Sequence, residues 1–180
     1  IASKNAGLSL YKYLGGANNK TIVTDYTVSI DNANKMVTDA LKIVAAGFEI
    51  IKVKLGESGE KDLERIRKIR EAVGMEIPIR VDANQGWTAQ NAPEILSELQ
   101  KYNIQHCEEP IPRWDFMSLP NIKKHSKIPI MADESCCDHN DAQRLIDIDA
   151  CHLFNVKLGK SGGIFKALKI ISIAEKHNIN

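Results

Sequence analysis

The sequence predicts an α/β protein built on a parallel sheet, either doubly wound or closed as a (β/α)8 barrel. Short runs rich in β-branched residues alternate with longer amphipathic runs, six times in succession. The pattern Val53-Lys54-Leu55-Gly56-Glu57-Ser58-Gly59 returns as Val156-Lys157-Leu158-Gly159-Lys160-Ser161-Gly162 four β-α units later, which is half a turn of an eight-stranded barrel. Three successive strands between these copies end in acid, as if one end of the sheet were reserved for chemistry.

Taken in order, residues 1–14 are expected to form a helix stopped by Gly15-Gly16, with a polar turn at 17–20. The chain opens on Ile without an initiator Met, so this stretch reads as the tail of something preceding it. Strands are expected at 25–30, 49–54, 77–82, 104–108, 128–131 and 150–156, each a short apolar or alternating run. Helices are expected between and after them at 33–46, 61–73, 89–102, 116–125, 140–146 and 165–177. There apolar residues recur at helical spacing, as in Met36, Ala40 and Ile43, or Ile66, Ile69 and Val73. Gly47 and Gly74 supply two of the stops. A seventh strand would begin near 177–180.

With 180 residues, 43% of them hydrophobic, the chain is long and apolar enough to bury a core. A net charge of +1 gives no electrostatic ground for a nucleic acid or an anionic membrane as partner, which leaves small molecules. No apolar run approaches the roughly 20 residues that span a bilayer, and no secretion signal opens the chain. Cys107, Cys136, Cys137 and Cys151 form neither a CxxC pair nor a disulfide framework, so a reducing cytoplasm is expected.

The chemistry centres on Lys52-Val53-Lys54, whose two ammonium groups share one face of a strand where its apolar run stops. Like charges held close, with partial burial, favour a neutral amine that can accept a proton; alone, the pair also fits a solvated strand edge. Asp82, Glu108 and Asp133 close the next three strands in Asp82-Ala83-Asn84, Glu108-Glu109-Pro110 and Asp133-Glu134-Ser135. One such acid is as often a helix N-cap, but three together form a hard-oxygen set suited to Mg²⁺ rather than zinc. Lys54 and Lys157 would flank that metal from opposite sides. Such an arrangement removes a proton from one face of a carbon beside a carboxylate and returns it to the other, through an enediolate that the cation stabilises.

On Lys52-Val53-Lys54, Asp82-Ala83-Asn84, Glu108-Glu109-Pro110, Ala132-Asp133-Glu134-Ser135 and Asn155-Val156-Lys157-Leu158-Gly159-Lys160-Ser161-Gly162-Gly163, the chain resembles the barrel domain of the enolase superfamily. Within it the muconate-lactonising subgroup is the most similar, in particular dipeptide epimerases of the L-Ala-D/L-Glu type. General principles already pair a Lys or His base with Mg²⁺ in this superfamily. The resemblance implies a modified TIM-type (β/α)8 barrel, of which about six β-α units are present in residues 21–180. Residues 1–20 would be the linking helix and turn from an amino-terminal capping domain.

It further implies that Asp82, Glu108 and Asp133 hold Mg²⁺, that Lys54 and Lys157 are the opposed acid/base pair, and that Lys52 tunes Lys54. Thr27 on the first strand, Asn84 and Asn155 would face the substrate, with Glu134 in support. The implied function is Mg-dependent epimerisation of a dipeptide, in a protein free to form a homo-oligomer. Muconate-type cycloisomerases and o-succinylbenzoate synthases share the acids and lysines and are the alternative. A non-catalytic barrel module is the alternative of another class. The Asp-x-Asp pair by which dipeptide epimerases hold the substrate amino group belongs to a last strand that this sequence does not include. Cys136-Cys137-Asp138-His139 is read as loop and helix start, and Gly159-Lys160-Ser161-Gly162-Gly163 as a turn rather than a phosphate loop.

Overall fold

Residues 1–17 and 21–179 are described by a computed structural model. Two short helices come first, α1 (Ala2–Asn5) and α2 (Leu10–Tyr13). The single helix expected over 1–14 is therefore broken. Gly7 turns left-handed at φ 64°, and neither short helix buries a residue that would hold a longer one together. Asn18, Asn19 and Lys20, most of the expected polar turn, lie outside the described residues.

Six strands then pair side by side in chain order, every neighbour parallel. They are β1 (Tyr26–Val28), β2 (Ile51–Lys54), β3 (Ile79–Asp82), β4 (Ile104–Glu108), β5 (Ile130–Ala132) and β6 (Leu153–Phe154). Helices α3 (Ala33–Ala45), α4 (Gly59–Val73), α5 (Ala92–Leu99), α6 (Leu119–His125) and α7 (His139–Asp147) provide the crossovers, and α8 (Leu158–Ser161) and α9 (Ile164–Lys176) follow β6. This is the parallel, sequentially ordered sheet of a TIM-type barrel, open between β1 and β6 among the described residues.

Local chemistry sets the element ends. Asn32 accepts from the Lys35 N–H at 3.0 Å to start α3, and Asp138 with Asp141 forms a capping box on α7. The helix expected at 89–102 starts later, at Ala92 beside Pro93, and tightens to a 3-10 turn over Gln100–Tyr102. That expected at 116–125 is a 3-10 segment, Arg113–Ser118, running into α6. At the amino-terminal end of the sheet Arg70, only 4% exposed, donates to the carbonyls of Gly74, Ile77, Tyr102 and Asn103 at 2.5–3.2 Å. One guanidinium thereby ties α4 to the segments entering β3 and β4.

Strand alternation divides the sheet into two faces. Ile51, Val53, Ile79, Val81, Cys107, Ile130 and Ala132 belong to one continuous buried cluster with Met36, Ile43, Ile66, Ile69, Leu96, Leu99, Leu119, Ile122 and Leu145 of the helices. Each such aliphatic side chain contributes about 1.5–3 kcal/mol by leaving water. The other face, toward the barrel interior, carries Lys52, Lys54, Arg80, Asp82, His106 and Glu108. The register sets Lys54 level with Asp82, and Asp82 level with Glu108.

Candidate active site

The site lies at the carboxyl-terminal ends of β2 to β6. Asp82, Glu108 and Asp133 are buried, at 0%, 2% and 1% exposure. Buried carboxylates must be paired, and lysines pair these. Lys54 Nζ and Lys52 Nζ each reach Asp82 Oδ2 at 2.8 Å, and Lys52 also donates to Glu108 Oε2. Lys157 Nζ pairs with Asp133 Oδ2 and lies 3.7 Å from Glu108 Oε1. Lys160 Nζ stands 2.6 Å from Asp133 Oδ1. Charges thus alternate across the ends of five strands, from Lys54 through Asp82, Lys52, Glu108, Lys157 and Asp133 to Lys160. Lys54 and Lys157 stand on opposite sides of Glu108 and Lys52.

The pairing fixes the ionisation. Burial pulls the Lys52 ammonium down, but its bonds to Asp82 and Glu108 outweigh burial and leave its pKa raised. Lys157 is raised in the same way, burial being overcome by Asp133. The neutral amine expected from two adjacent lysines is therefore not formed at Lys52, because intervening carboxylates outweigh the like charge. Burial pushes the Asp82 and Asp133 carboxyls up, yet their lysines hold both below the usual carboxylate range. Glu108 stays raised, since burial exceeds what Lys52 offsets.

Three carboxylates on three consecutive strands, without imidazole or thiolate between them, suit Mg²⁺ by donor chemistry. Among the described residues, no three His, Cys, Asp or Glu side chains are close enough as they stand to enclose a metal ion. The ammonium groups lie between the carboxylates and meet the charge a divalent cation would meet. Residues and metal therefore fit in kind, provided the lysines give way. Lys157, 49% exposed at its side chain, has room to do so.

The other expected residues divide. Asn155 Nδ2 donates to Glu108 Oε1 at 2.7 Å and so belongs to the carboxylate row. Asn84, left-handed at φ 46°, is exposed and gives its backbone N–H to Asp82 Oδ1 at 2.9 Å. Thr27 is exposed on β1, level with Lys52. Glu134 does not join the row; its Oε2 is buried without a partner among the described residues.

Two residues were missed. Lys160, read as part of a turn, sits on helical turn α8 and also donates to the Asn155 carbonyl at 2.9 Å. Glu109, in the left-handed region at φ 38°, accepts the Asp133 and Ser135 N–H groups at 2.6 and 3.2 Å, locking the end of β5 to that of β4. The sequence repeat carried no signal for Lys160, because the equivalent position of the first copy is Glu57. Cys136-Cys137-Asp138-His139 leads into the capped start of α7, with the Cys136 thiol pushed up to about 12 by burial.

A partial parallel barrel with acids and lysines at its strand ends defines a class of (β/α) barrel with a carboxylate-lysine centre. Residues 35–180 match the family described as enolase C-terminal domain-like, and the chain belongs to that family. It is 58% identical over 176 residues to a D-Ala-D/L-Ala epimerase of Cytophaga hutchinsonii, covering 98% of this chain and 48% of that protein. A crystal structure of the dipeptide epimerase from that organism, complexed with Mg and D-Ala-L-Val, superposes with a TM-score of 0.96 at 58% identity, covering 97% of this chain and 48% of that one. The Enterococcus faecalis dipeptide epimerase, complexed with Mg and L-Leu-L-Tyr, gives 0.95 at 40% identity, covering 99% and 50%. The chain spans about half the length of the curated relatives it matches.

Proposed function

We propose that this chain is the barrel portion of a dipeptide epimerase that inverts the α-carbon of the carboxy-terminal residue by 1,1-proton transfer. The observation that carries the reading is that Lys54 on Asp82 and Lys157 on Asp133 are separated in one row of charges by Lys52 and Glu108. Further support comes from 58% identity to an enzyme named for D-Ala-D/L-Ala. Small dipeptides with an amino-terminal D-Ala are accordingly the first substrates to try. In this reading residues 21–180 supply six β-α units, residues 1–20 link to a capping domain, and further units complete the barrel.

Asp82, Glu108 and Asp133 would hold Mg²⁺. The bound ion would supply positive charge beside the substrate carboxylate and so make the α-proton more acidic. Lys54 would then act as the base. As a neutral amine it takes the α-proton from one face, while the Lys157 ammonium delivers a proton to the other. The reverse direction exchanges the two roles. Lys52 stays ionised, and Asn155 fixes the second oxygen of Glu108. Thr27, on β1 level with Lys52, and Asn84, just past the end of β3, would contact the peptide.

Chromatographic separation of diastereomers after incubating the full-length protein with Mg²⁺ and D-Ala-L-Ala, D-Ala-L-Val or L-Ala-L-Glu tests the reading. A second diastereomer is expected from at least one of the three. None from any of them, with turnover of muconate instead, would replace the reading by cycloisomerisation.

A further inference from the structure

We propose that Asp62 and Trp87 are positioning residues for Lys54, clamping the end of β2 against the loop after β3. The inference rests on reading Lys54 as one of the two acid/base groups. Acids in the first turn of a helix are ordinarily solvated, where they favour the helix dipole at no cost in burial. Asp62, in the first turn of α4, is instead 0% exposed. Its Oδ2 accepts the Gly56 N–H and the Trp87 Nε1–H, each at 2.9 Å, and its Oδ1 accepts from Arg65 Nη1 at 2.9 Å. Arg65 also donates from Nε to the Asp31 carbonyl at 3.0 Å and pairs with Glu57. The buried carboxylate therefore joins the loops that follow β2 and β3, and Arg65 extends the link to the loop after β1.

Those loops have no slack. The Leu55 N–H bonds to the Asp82 carbonyl at 2.8 Å, which brings the chain after Lys54 against the end of β3. A Cβ on Gly56, itself at φ 105°, would lie 2.0 Å from the Ala83 carbonyl oxygen, and one on Gly86 would lie 2.1 Å from the Gly56 oxygen. The two backbones are in contact, and Trp87, 1% exposed, seals them with its indole N–H on Asp62. What the clamp sets is the placement of Lys54 Nζ, 2.8 Å from Asp82 Oδ2. Lys157 is placed by β6 and by Asp133, to which Asp62 makes no hydrogen bond among the described residues. The clamp therefore acts on one base of the two.

That asymmetry gives the test. In the full-length protein, Asp62→Asn and Trp87→Phe are compared with Leu99→Ala, a buried substitution in α5 that weakens the fold away from the site. Exchange of the dipeptide α-proton with solvent deuterium is followed from each epimer of D-Ala-Ala. Asp62→Asn is expected to slow exchange from one epimer at least about tenfold more than from the other, as misplacement of a reacting group does. Trp87→Phe should do the same to a lesser degree, and Leu99→Ala should slow both alike. Equal slowing from both epimers in Asp62→Asn and Trp87→Phe would overturn the proposal. Metal-free crystal structures of wild type and Asp62→Asn decide independently of activity: Lys54 Nζ is expected to leave Asp82 only in the variant, and retention of the 2.8 Å contact there would overturn the proposal. A wild-type protein that epimerises no dipeptide would instead defeat the proposed function, with the crystallographic arm still deciding the clamp.

Discussion

Lys54 and Lys157 meet their carboxylates under different conditions. The Lys54 side chain is 30% exposed and rests on Asp82, whereas Lys157 is 49% exposed and straddles Asp133 and Glu108. If each serves one face of the substrate carbon, substituting either stops inversion but not all proton exchange. Lys54→Met should lower epimerisation by about 10²-fold or more, yet leave α-proton exchange from the epimer whose proton faces Lys157. Lys157→Met should show the complementary pattern. Deuterium incorporation from each epimer, measured by mass spectrometry, checks this; loss of exchange from both epimers in both variants contradicts it. The acids and these lysines were legible because residues two apart on a strand share a face and the motif repeats. Lys160 and Asp62 were not. Lys160 reaches Asp133 only because α8 folds back, and Asp62 has the sequence signature of an ordinary first-turn acid.

Sequence period located every strand and the carboxyl-terminal ends of β2, β3 and β4, but misjudged where other ladders begin or stop. The strand expected over 150–156 pairs only at Leu153–Phe154, since β propensity does not report which backbone groups find a partner. The strand expected at 128–131 starts instead at Ile130, whose N–H is given to His152 Nδ1 at 3.0 Å. Burial, with Lys123 nearby, lowers the His152 pKa from its ordinary value near 6.5. The unfolded chain therefore binds the proton more readily, and the stability His152 provides is complete above about pH 6.5 and lost as pH falls through its folded pKa. Urea unfolding at pH 7.5 and 5.5 should show a smaller acid-induced loss in His152→Asn than in wild type; identical losses would contradict the assignment. Arg70 is the other element-scale device. Arg70→Met should destabilise by about 2–4 kcal/mol, because four carbonyls lose a buried donor, and a change under about 0.5 kcal/mol in denaturant unfolding would contradict that role.

For the whole molecule, the sheet order and the burial of one face follow from six β-α repeats, and the site follows from where those strands end. Among the described residues β1 and β6 are edges, and α8 and α9 expose Leu158, Phe165, Leu168 and Ile171. Binding of Mg²⁺ should displace ammonium groups from the carboxylates, so titration calorimetry on the full-length protein should detect one site, abolished in Asp133→Asn with the fold intact. Retained binding in that variant would remove Asp133 from the metal set. The central claim is inversion at an α-carbon by two opposed lysines, and proton NMR of D-Ala-L-Ala in D₂O with the full-length protein and Mg²⁺ tests it most directly. The α-proton signal of the carboxy-terminal residue is expected to disappear as the methyl signals of the D-Ala-D-Ala diastereomer grow in. A persistent α-proton with no second diastereomer, across the dipeptides named above, would contradict it.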